Sequence, residues 1–296
     1  MYDRAKMKKI IILIPVFNDW ESLNKLLEEI NFLLEGSEHN FSVLIVNDAS
    51  TQDRIDAPLS LDNLQSVKLI NMKENRGHAR CNATGLKYIL ENEEFDYIIP
   101  MDGDGEDRPD EIKQFIDNLN YHPNKVIVGE RIKRSEGIFF RICYLVHKII
   151  TFVFTGQSIK FGNYTFLPKL TVEKMVDEKA TWSSFSGSLA KTEKDRATVP
   201  SIRGSRYFGP TKMNFKSLVI HSLSIIAVFK ISLISRSILF SLVYFFLISE
   251  NISIITMLPI VLVIILVVLT LLISKRENME EFKNSLSNIG NIINIK

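Results

Sequence analysis

From Ile254 to Ile273 the chain runs for 20 residues without a charged side chain. At about 1.5 Å per residue a helix of that length spans about 30 Å, the hydrocarbon thickness of a bilayer. Pro259 lies in its early turns, where a missing N–H donor is tolerated. Upstream, Ser237–Ser249 is also uncharged but has only 13 residues. It reaches membrane length if extended back through Arg236 to about Ile231, with Arg236 snorkelling to the interface. The two read as a transmembrane helical hairpin. Lys230 and Arg236 precede it and Lys275 and Arg276 follow it, so both ends are expected in the cytoplasm, with the Glu250-Asn251 turn on the other side. A buried helical pair in a soluble protein is the competing reading. Neither span carries a central ionisable residue, which argues against a cation channel or transporter.

The net charge of +2 hides a division along the chain. Residues 1–129 carry 14 Lys/Arg against 23 Asp/Glu, and residues 130–236 carry 18 against 7. An acidic part followed by a basic part suits holding a cation and meeting phosphates or an anionic membrane face; uneven solvation is the plainer alternative. Cys81 and Cys143 are far apart and lack metal-ligand spacing, which fits a reducing compartment. Lys6, Lys8 and Lys9 before the apolar run Ile10–Phe17 faintly suggest a signal peptide. No small-residue cleavage site follows, so the run reads as a buried first strand.

Further continuous apolar runs at Phe41–Val46, Val67–Ile70 and Phe95–Ile99, with a short one at Lys125–Val128, read as strands of a largely parallel sheet covered on both faces. Between them, Asn18-x-x-Glu21 has the form of a capping box, and Trp20, Leu23, Leu26, Leu27, Ile30 and Leu34 follow at helical spacing. A second helix opens at Asn75 and runs to about Leu90, and a third starts at Pro109 and runs to about Leu119. This alternation indicates an α/β fold. Ligands in such sheets bind beyond the carboxyl ends of the strands, which points to Asn18, Asp48 and Asp102.

The loop Met101-Asp-Gly-Asp-Gly-Glu-Asp-Arg-Pro109 is the chemical centre. Asp102, Asp104 and Glu106 alternate with glycines that let the backbone turn tightly. Hard oxygen ligands at this density suit Mg²⁺ or Mn²⁺ bridging to a substrate phosphate. An EF-hand calcium loop fails by position, since Asp107 stands where glycine is required and Lys113 where glutamate is required. A solvated acidic turn is the remaining alternative. Asp48, in a second polar loop, could accept hydrogen bonds from a base or ribose, although Asn-Asp after a strand is also ordinary turn chemistry. In Asn75-Arg-Gly-His-Ala-Arg-Cys-Asn-Ala-Thr-Gly85, small residues thin one helix flank, and Arg76 and Arg80 strengthen an anion-favouring N-terminus. Close helix packing would explain the small residues equally well, and His78 reads as a surface or capping histidine.

At these residues the chain resembles a family-2 glycosyltransferase of the GT-A fold. The resemblance lies in Ile11-Ile-Leu-Ile-Pro-Val-Phe-Asn18, Asn47-Asp-Ala-Ser50, the glycine-bearing helix, Asp102-x-Asp104 with Glu106 and Pro109, and Gly129-Glu-Arg131. Arg203-Gly-Ser-Arg-Tyr-Phe-Gly-Pro-Thr-Lys212 is similar to a late signature of the polyprenyl-phosphate branch, which includes dolichyl-phosphate mannose synthase. The resemblance implies a GT-A, Rossmann-like sheet with flanking helices and a C-terminal transmembrane hairpin. It implies a nucleotide-sugar donor, a divalent cation (Mg²⁺ or Mn²⁺), a polyprenyl-phosphate lipid acceptor and inversion at the anomeric carbon. Pro15, Asn18, Asp48, Asn75, Gly77 and Asp102 are then expected at the nucleotide, and Asp102, Asp104 and Glu106 at the metal. Arg131, Arg141, Arg206 and Lys212 are expected at the acceptor phosphate and diphosphate. Asp104, Arg131, Arg206 and Lys212 would carry the catalysis, because metal and fixed cations stabilise charge building on the departing diphosphate.

Four positions depart from the family. Glutamine usually stands where Glu106 is, and aspartate where Asn47 is. In Gly162-Asn-Tyr-Thr-Phe-Leu167 the branch often has Gly-Asp-Phe-Arg, so Asn163 replaces a carboxylate and Thr165 an arginine. Asparagine cannot take a proton, but a phosphate monoester with its second pKa of about 6 is already nucleophilic at neutral pH. A hydroxyl acceptor would need a general base. Ile138–Phe154, with Arg141, Tyr144, Lys148 and Thr151 at helical spacing, reads as an interfacial helix, with a buried core helix as the main rival and a third span as the other, and Leu218–Ile234 as a second interfacial helix.

The expectation is therefore an integral, bacterial-type inner-membrane enzyme with a cytoplasmic catalytic domain. Residues 1–129 would form the donor half, 130–230 the acceptor half, 231–274 the two spans and 275–296 a cytoplasmic tail. A membrane-anchored transferase acting on a saccharide hydroxyl, and a non-catalytic scaffold, are the alternatives. No nucleic-acid partner is expected, and a homo-oligomer is left open.

Overall fold

A computed structural model describes residues 7–55, 59–119, 121–133, 138–210 and 214–296. Among them the chain builds an eight-stranded mixed sheet. Strands β1 (Lys9–Val16), β2 (Asn40–Asn47), β3 (Ser66–Met72) and β4 (Tyr97–Pro100) are mutually parallel and form its middle. Beyond β4 come β5 (Val126–Lys133), β6 (Thr165–Pro168) and β7 (Arg196–Ile202), and β8 (Ile289–Asn294) closes the other edge, in the order β7-β5-β6-β4-β1-β2-β3-β8.

The unbroken apolar run of β1 follows from its place. Ile10, Ile12 and Ile14 face one core with Leu23, Leu26, Leu27 and Ile30 of helix α1 (Trp20–Leu33), while Ile11 and Leu13 face another with Cys81, Leu86 and Ile89 of α2 (His78–Asn92). A strand with helices on both faces has no solvent side to alternate toward. The thin flank of α2 is used in packing: a Cβ on Gly85 would stand 2.4 Å from Leu13 Cδ1. The helix therefore presses directly on the central strand.

Local details differ from the sequence reading. Asn18 does not cap α1; it takes φ 50 and turns away, its Oδ1 accepting from the Thr51 and Gln52 N–H groups at 2.8 and 3.0 Å. Asp19 precedes the helix and makes no side-chain cap bond. The second helix begins at His78 rather than Asn75, because Gly77 at φ 91 breaks the helical path. Pro109 opens one 3₁₀ turn before α3 (Ile112–Leu119).

Helix α4 (Ile138–Thr155) exposes Ile142, Leu145, Ile149 and Phe152 along one face, which rules out a buried core helix. Helices α5 (Lys169–Val176) and α6 (Phe185–Thr192) cover the sheet near β6, and α7 (Phe215–Val228) leads through Phe229 into α8 (Lys230–Ile248). With α9 (Ile254–Ser274), α8 forms the apolar C-terminal pair, and both are long and apolar enough to cross a membrane. Arg236 does more than snorkel: its Nη1 donates to the Val153 carbonyl at 3.1 Å, capping the end of α4. After α9 a short helix, α10 (Met279–Lys283), leads back to β8. That strand pairs antiparallel with β3, from Lys68 opposite Asn294 to Met72 opposite Ile289.

Candidate functional site

The carboxyl ends of β1, β2 and β4 each pass into a polar loop, and these loops meet. Asn18 binds the 51–52 loop as described, and its N–H donates to Ser50 Oγ at 2.8 Å. Asp48 is 5% exposed, and its two oxygens accept the Arg76 and Gly77 N–H groups at 2.9 and 2.8 Å. Burial raises its pKa, and those two donors partly offset the rise. Asp48 thus holds the turn before α2 and presents its remaining lone pairs beside it. Asn75 is exposed in that turn. Pro15 is buried at the end of β1, with its carbonyl 3.2 Å from where a Cβ on Gly103 would stand. The acidic loop is therefore laid directly over the first strand.

In the acidic loop the Asp102 N–H donates to Asp107 Oδ2 at 2.9 Å, and the Glu106 N–H to Asp104 Oδ1 at 3.0 Å. The segment 203–208 crosses above it. Gly204 N–H donates to the Glu106 carbonyl at 2.8 Å, and Tyr207 N–H to the Asp104 carbonyl at 3.0 Å. Arg206 Nη1 donates to Asp104 Oδ2 at 2.6 Å and also pairs with Asp19, while Arg203 pairs with Glu106. The Tyr207 ring lies against Gly105, donates its hydroxyl proton to Glu29 and receives Lys25 Nζ 4.5 Å from its centroid.

The carboxylates do not respond alike. Burial, then Asp102 and Glu106, raises Asp104 to about 6 despite Arg206. Burial, then Asp102, raises Asp107 to about 7 against the pull of Arg131, whose Nη2 is 4.0 Å from Asp107 Oδ1. Burial also opposes charge on Asp102, but His78, Arg203, Arg131 and the Asn163 amide outweigh it and hold that group below its usual range. Asp102 is thus the carboxylate kept ionised.

The expected trio of metal ligands is not gathered. Among the described residues no three His, Cys, Asp or Glu side chains stand close enough to share an ion. Like charges repel, and Asp104 and Glu106 each turn to an arginine instead. The donor set still fits a hard cation of the kind bound through one or two carboxylates plus phosphate oxygens. Asp102 Oδ1 is sealed from solvent with no hydrogen-bond partner among the described residues, 3.3 Å from His78 Nε2. A buried anionic oxygen with no hydrogen bond of its own leaves room for a cation to add to what His78 supplies.

Of the four expected phosphate contacts, Arg131 and Arg206 reach the acidic loop. The Arg141 side chain and Lys212 lie outside the described residues. Several groups here were not singled out from sequence: Asp107, Arg203, Asp19, and the Glu29–Lys25 pair on α1. The acidic loop itself was a signal for Asp107, but nothing local marked α1 as a partner of Tyr207. His78 is exposed, as a surface histidine would be, and its Nε2 also lies 2.6 Å from Asn163 Nδ2 and 3.0 Å from Asn82 Nδ2. His221 on α7 is exposed.

Comparison with known proteins agrees with this geometry. The undecaprenyl-phosphate 4-deoxy-4-formamido-L-arabinose transferase of Salmonella choleraesuis (strain SC-B67) is 24% identical over 225 residues, 74% of this chain and 67% of that protein. Its counterpart in Salmonella newport (strain SL254) matches to the same extent, 24% over 225 residues. Among solved structures, glucosyl-3-phosphoglycerate synthase from Mycobacterium tuberculosis, in complex with Mn²⁺, UDP-glucose and phosphoglyceric acid, superposes with a TM-score of 0.53 at 14% identity, covering 77% of this chain and 79% of that one. S. aureus TarS 1-349 gives 0.50 at 13% identity, covering 93% and 89%. The fold is GT-A. The model of glycosyl transferase family 2 matches residues 11–170, more than half of the chain, and the protein belongs to that family.

Proposed function

We propose that the protein transfers a sugar from a nucleotide diphosphate donor to a polyprenyl phosphate, with inversion, at the cytoplasmic face of a membrane. The observation that carries this is the meeting of Arg131, Arg203 and Arg206 with Asp107, Glu106 and Asp104 of the acidic loop beyond the carboxyl end of β4, in a chain that also holds two apolar spans. The relatives' action on undecaprenyl phosphate supports the lipid acceptor. The Mn²⁺ in the M. tuberculosis synthase supports a divalent cation.

Residues 1–129 act as the donor half. Asp48 and the 75–77 turn receive the nucleoside, with Pro15 and Asn18 behind them. Asp102 and Asp104 hold Mg²⁺ or Mn²⁺, with Glu106 joining when it leaves Arg203. When bound, the cation neutralises the donor diphosphate. Arg206, anchored between Asp104 and Asp19, lies on the diphosphate side, where it favours departure of the charged leaving group. Arg131, with Arg141 and Lys212, orients the acceptor phosphate within residues 130–230. Asn163 cannot deprotonate an acceptor, and a phosphate needs no such help.

The test is transfer of labelled sugar nucleotide in membranes. Asp104→Asn is expected to lower the initial rate about 10²- to 10³-fold, with the wild-type product in the solvent-extractable lipid fraction. Label confined to polymer would move the acceptor to a saccharide hydroxyl, and an unchanged rate in the variant would end the metal-dependent reading.

A further inference from the structure

The segment that follows the membrane hairpin is bound to the turn on which Asp48 depends. Asn288 is 6% exposed, its Nδ2 donates to the Glu74 carbonyl at 3.1 Å, and its own carbonyl accepts the Lys73 N–H at 2.8 Å. Lys73 Nζ donates to the Ser287 carbonyl at 2.8 Å. These bonds grip residues 73–74, and one residue further on the N–H groups of Arg76 and Gly77 are the ones that Asp48 accepts. A second path runs across the sheet. Asn291 Oδ1 accepts from Asn71 Nδ2, and Asn71 Oδ1 from Asn47 Nδ2, both at 2.8 Å, so three amides link β8 through β3 to the residue before Asp48.

The segment is seated firmly enough to transmit position. Phe282 is 1% exposed and stacks on Trp182 with centroids 5.5 Å apart. Glu281 accepts from Trp182 Nε1 at 2.9 Å and lies 3.4 Å from Arg80 Nη2 on α2. A Cβ on Gly290 would stand 3.2 Å from the Asn71 carbonyl, so β8 lies close against β3.

We propose that Asn288 and Asn291 are positioning residues of the donor site: the chain beyond the second span sets the 73–77 turn, and through it Asp48, for nucleotide binding. This rests on the reading of Asp48 and the 75–77 turn as the nucleotide end of the site. It also explains why a tail past the membrane anchor returns to the sheet. An edge strand needs some device to cover it, but covering alone requires no side-chain amide at 288 or 291.

The experiment uses the full-length protein in nanodiscs with Mn²⁺, titrated calorimetrically with UDP, GDP, CDP and TDP, the tightest binder serving as probe. Asn288→Asp keeps the shape and removes the donated hydrogen bond; Asn291→Ala, at an exposed position, breaks the amide ladder. Each is expected to weaken probe binding about three- to tenfold and to raise the donor KM alike, with kcat and the acceptor KM unchanged. Asn288→Ser, which restores a donor, should recover part of the loss. Asp48→Asn is the control on the underlying reading. If it leaves binding intact, the donor assignment fails. If it weakens binding while Asn288→Asp and Asn291→Ala do not, the positioning role alone is overturned. Should Asn288→Asp fail to fold, the Asn291→Ala result decides by itself.

Discussion

Asp104 and Asp107 are acids held above their ordinary range, at about 6 and about 7, by burial and by neighbouring carboxylates. A raised acid takes its proton more readily in the folded chain than in the unfolded one. Between about pH 4 and about pH 7 the native state carries the extra protons, so these two groups make stability fall as pH rises through that window. The cation-depleted protein should therefore melt lower at pH 7.5 than at pH 5.5, and Asp107→Asn should shrink the gap by a few degrees. The same protons would compete with the proposed metal. Mn²⁺ affinity, followed by electron paramagnetic resonance, should fall about tenfold per pH unit once the pH drops below that of Asp104. Ala49 offers a separate test at this scale. It sits at φ 54 directly after Asp48, where a side chain costs about 1 kcal/mol that glycine avoids. Ala49→Gly should raise the melting temperature by about 2–4 °C, read by scanning calorimetry.

At the scale of elements, the 203–208 strap governs the acidic loop, and Gly105 is its seat. Gly105 has φ 84, and a Cβ there would lie 2.5 Å from Tyr207 Cε2. Gly105→Ala should lower stability by about 1–2 kcal/mol for the backbone alone and push Tyr207 off the loop, displacing Arg203 and Arg206. Transfer should then fall at least tenfold. Gly36→Ala is the control: Gly36 has φ 71 but nothing within 4 Å of its would-be Cβ. It should show the backbone cost in its melting temperature and no change in rate. The family resemblance pointed to the strap and to Arg206, but the pairing of its arginines with the acidic loop was not legible. Strands β1 to β4 were legible because both their faces are buried, and Asp102 and Asp104 because glycines and a preceding strand announce such a loop. The arginines that pair with Asp104 and Glu106 come from about a hundred residues downstream, and no periodicity links segments that far apart. Asn18 misled for a related reason. A cap and a bridge to a neighbouring loop require the same short amide, and only the position of Thr51 and Gln52 distinguishes them. Strand β8 went unread because Ile289–Asn294 is short and glycine-bearing, and its pairing with β3 is entirely long-range.

For the whole molecule, the hairpin is tied to the sheet domain from both ends, by α7 before it and by α10 and β8 after it. The chain enters α8 from α7, which packs on α6, and leaves α9 through α10, which packs on α2 before the strand joins β3. If α8 and α9 cross a bilayer, both connections must lie on the side of the sheet, and the turn at Glu250-Asn251 on the other. The geometry requires an even number of crossings, and the flanking Lys230, Lys275 and Arg276 fit a cytoplasmic placement of the sheet side. Cysteine labelling in intact cells tests this directly. In a Cys143→Ser background, with Cys81 buried, Asn251→Cys should react with a membrane-impermeant maleimide added outside. Asn284→Cys should react only after the membrane is opened. Labelling of both from outside, or of neither, would mean that the pair does not span and that α8 and α9 lie along the interface with α4. In that case high salt or carbonate would release the protein from the membrane, whereas a spanning hairpin needs detergent, because two largely apolar helices of 19 and 21 residues must be kept from water.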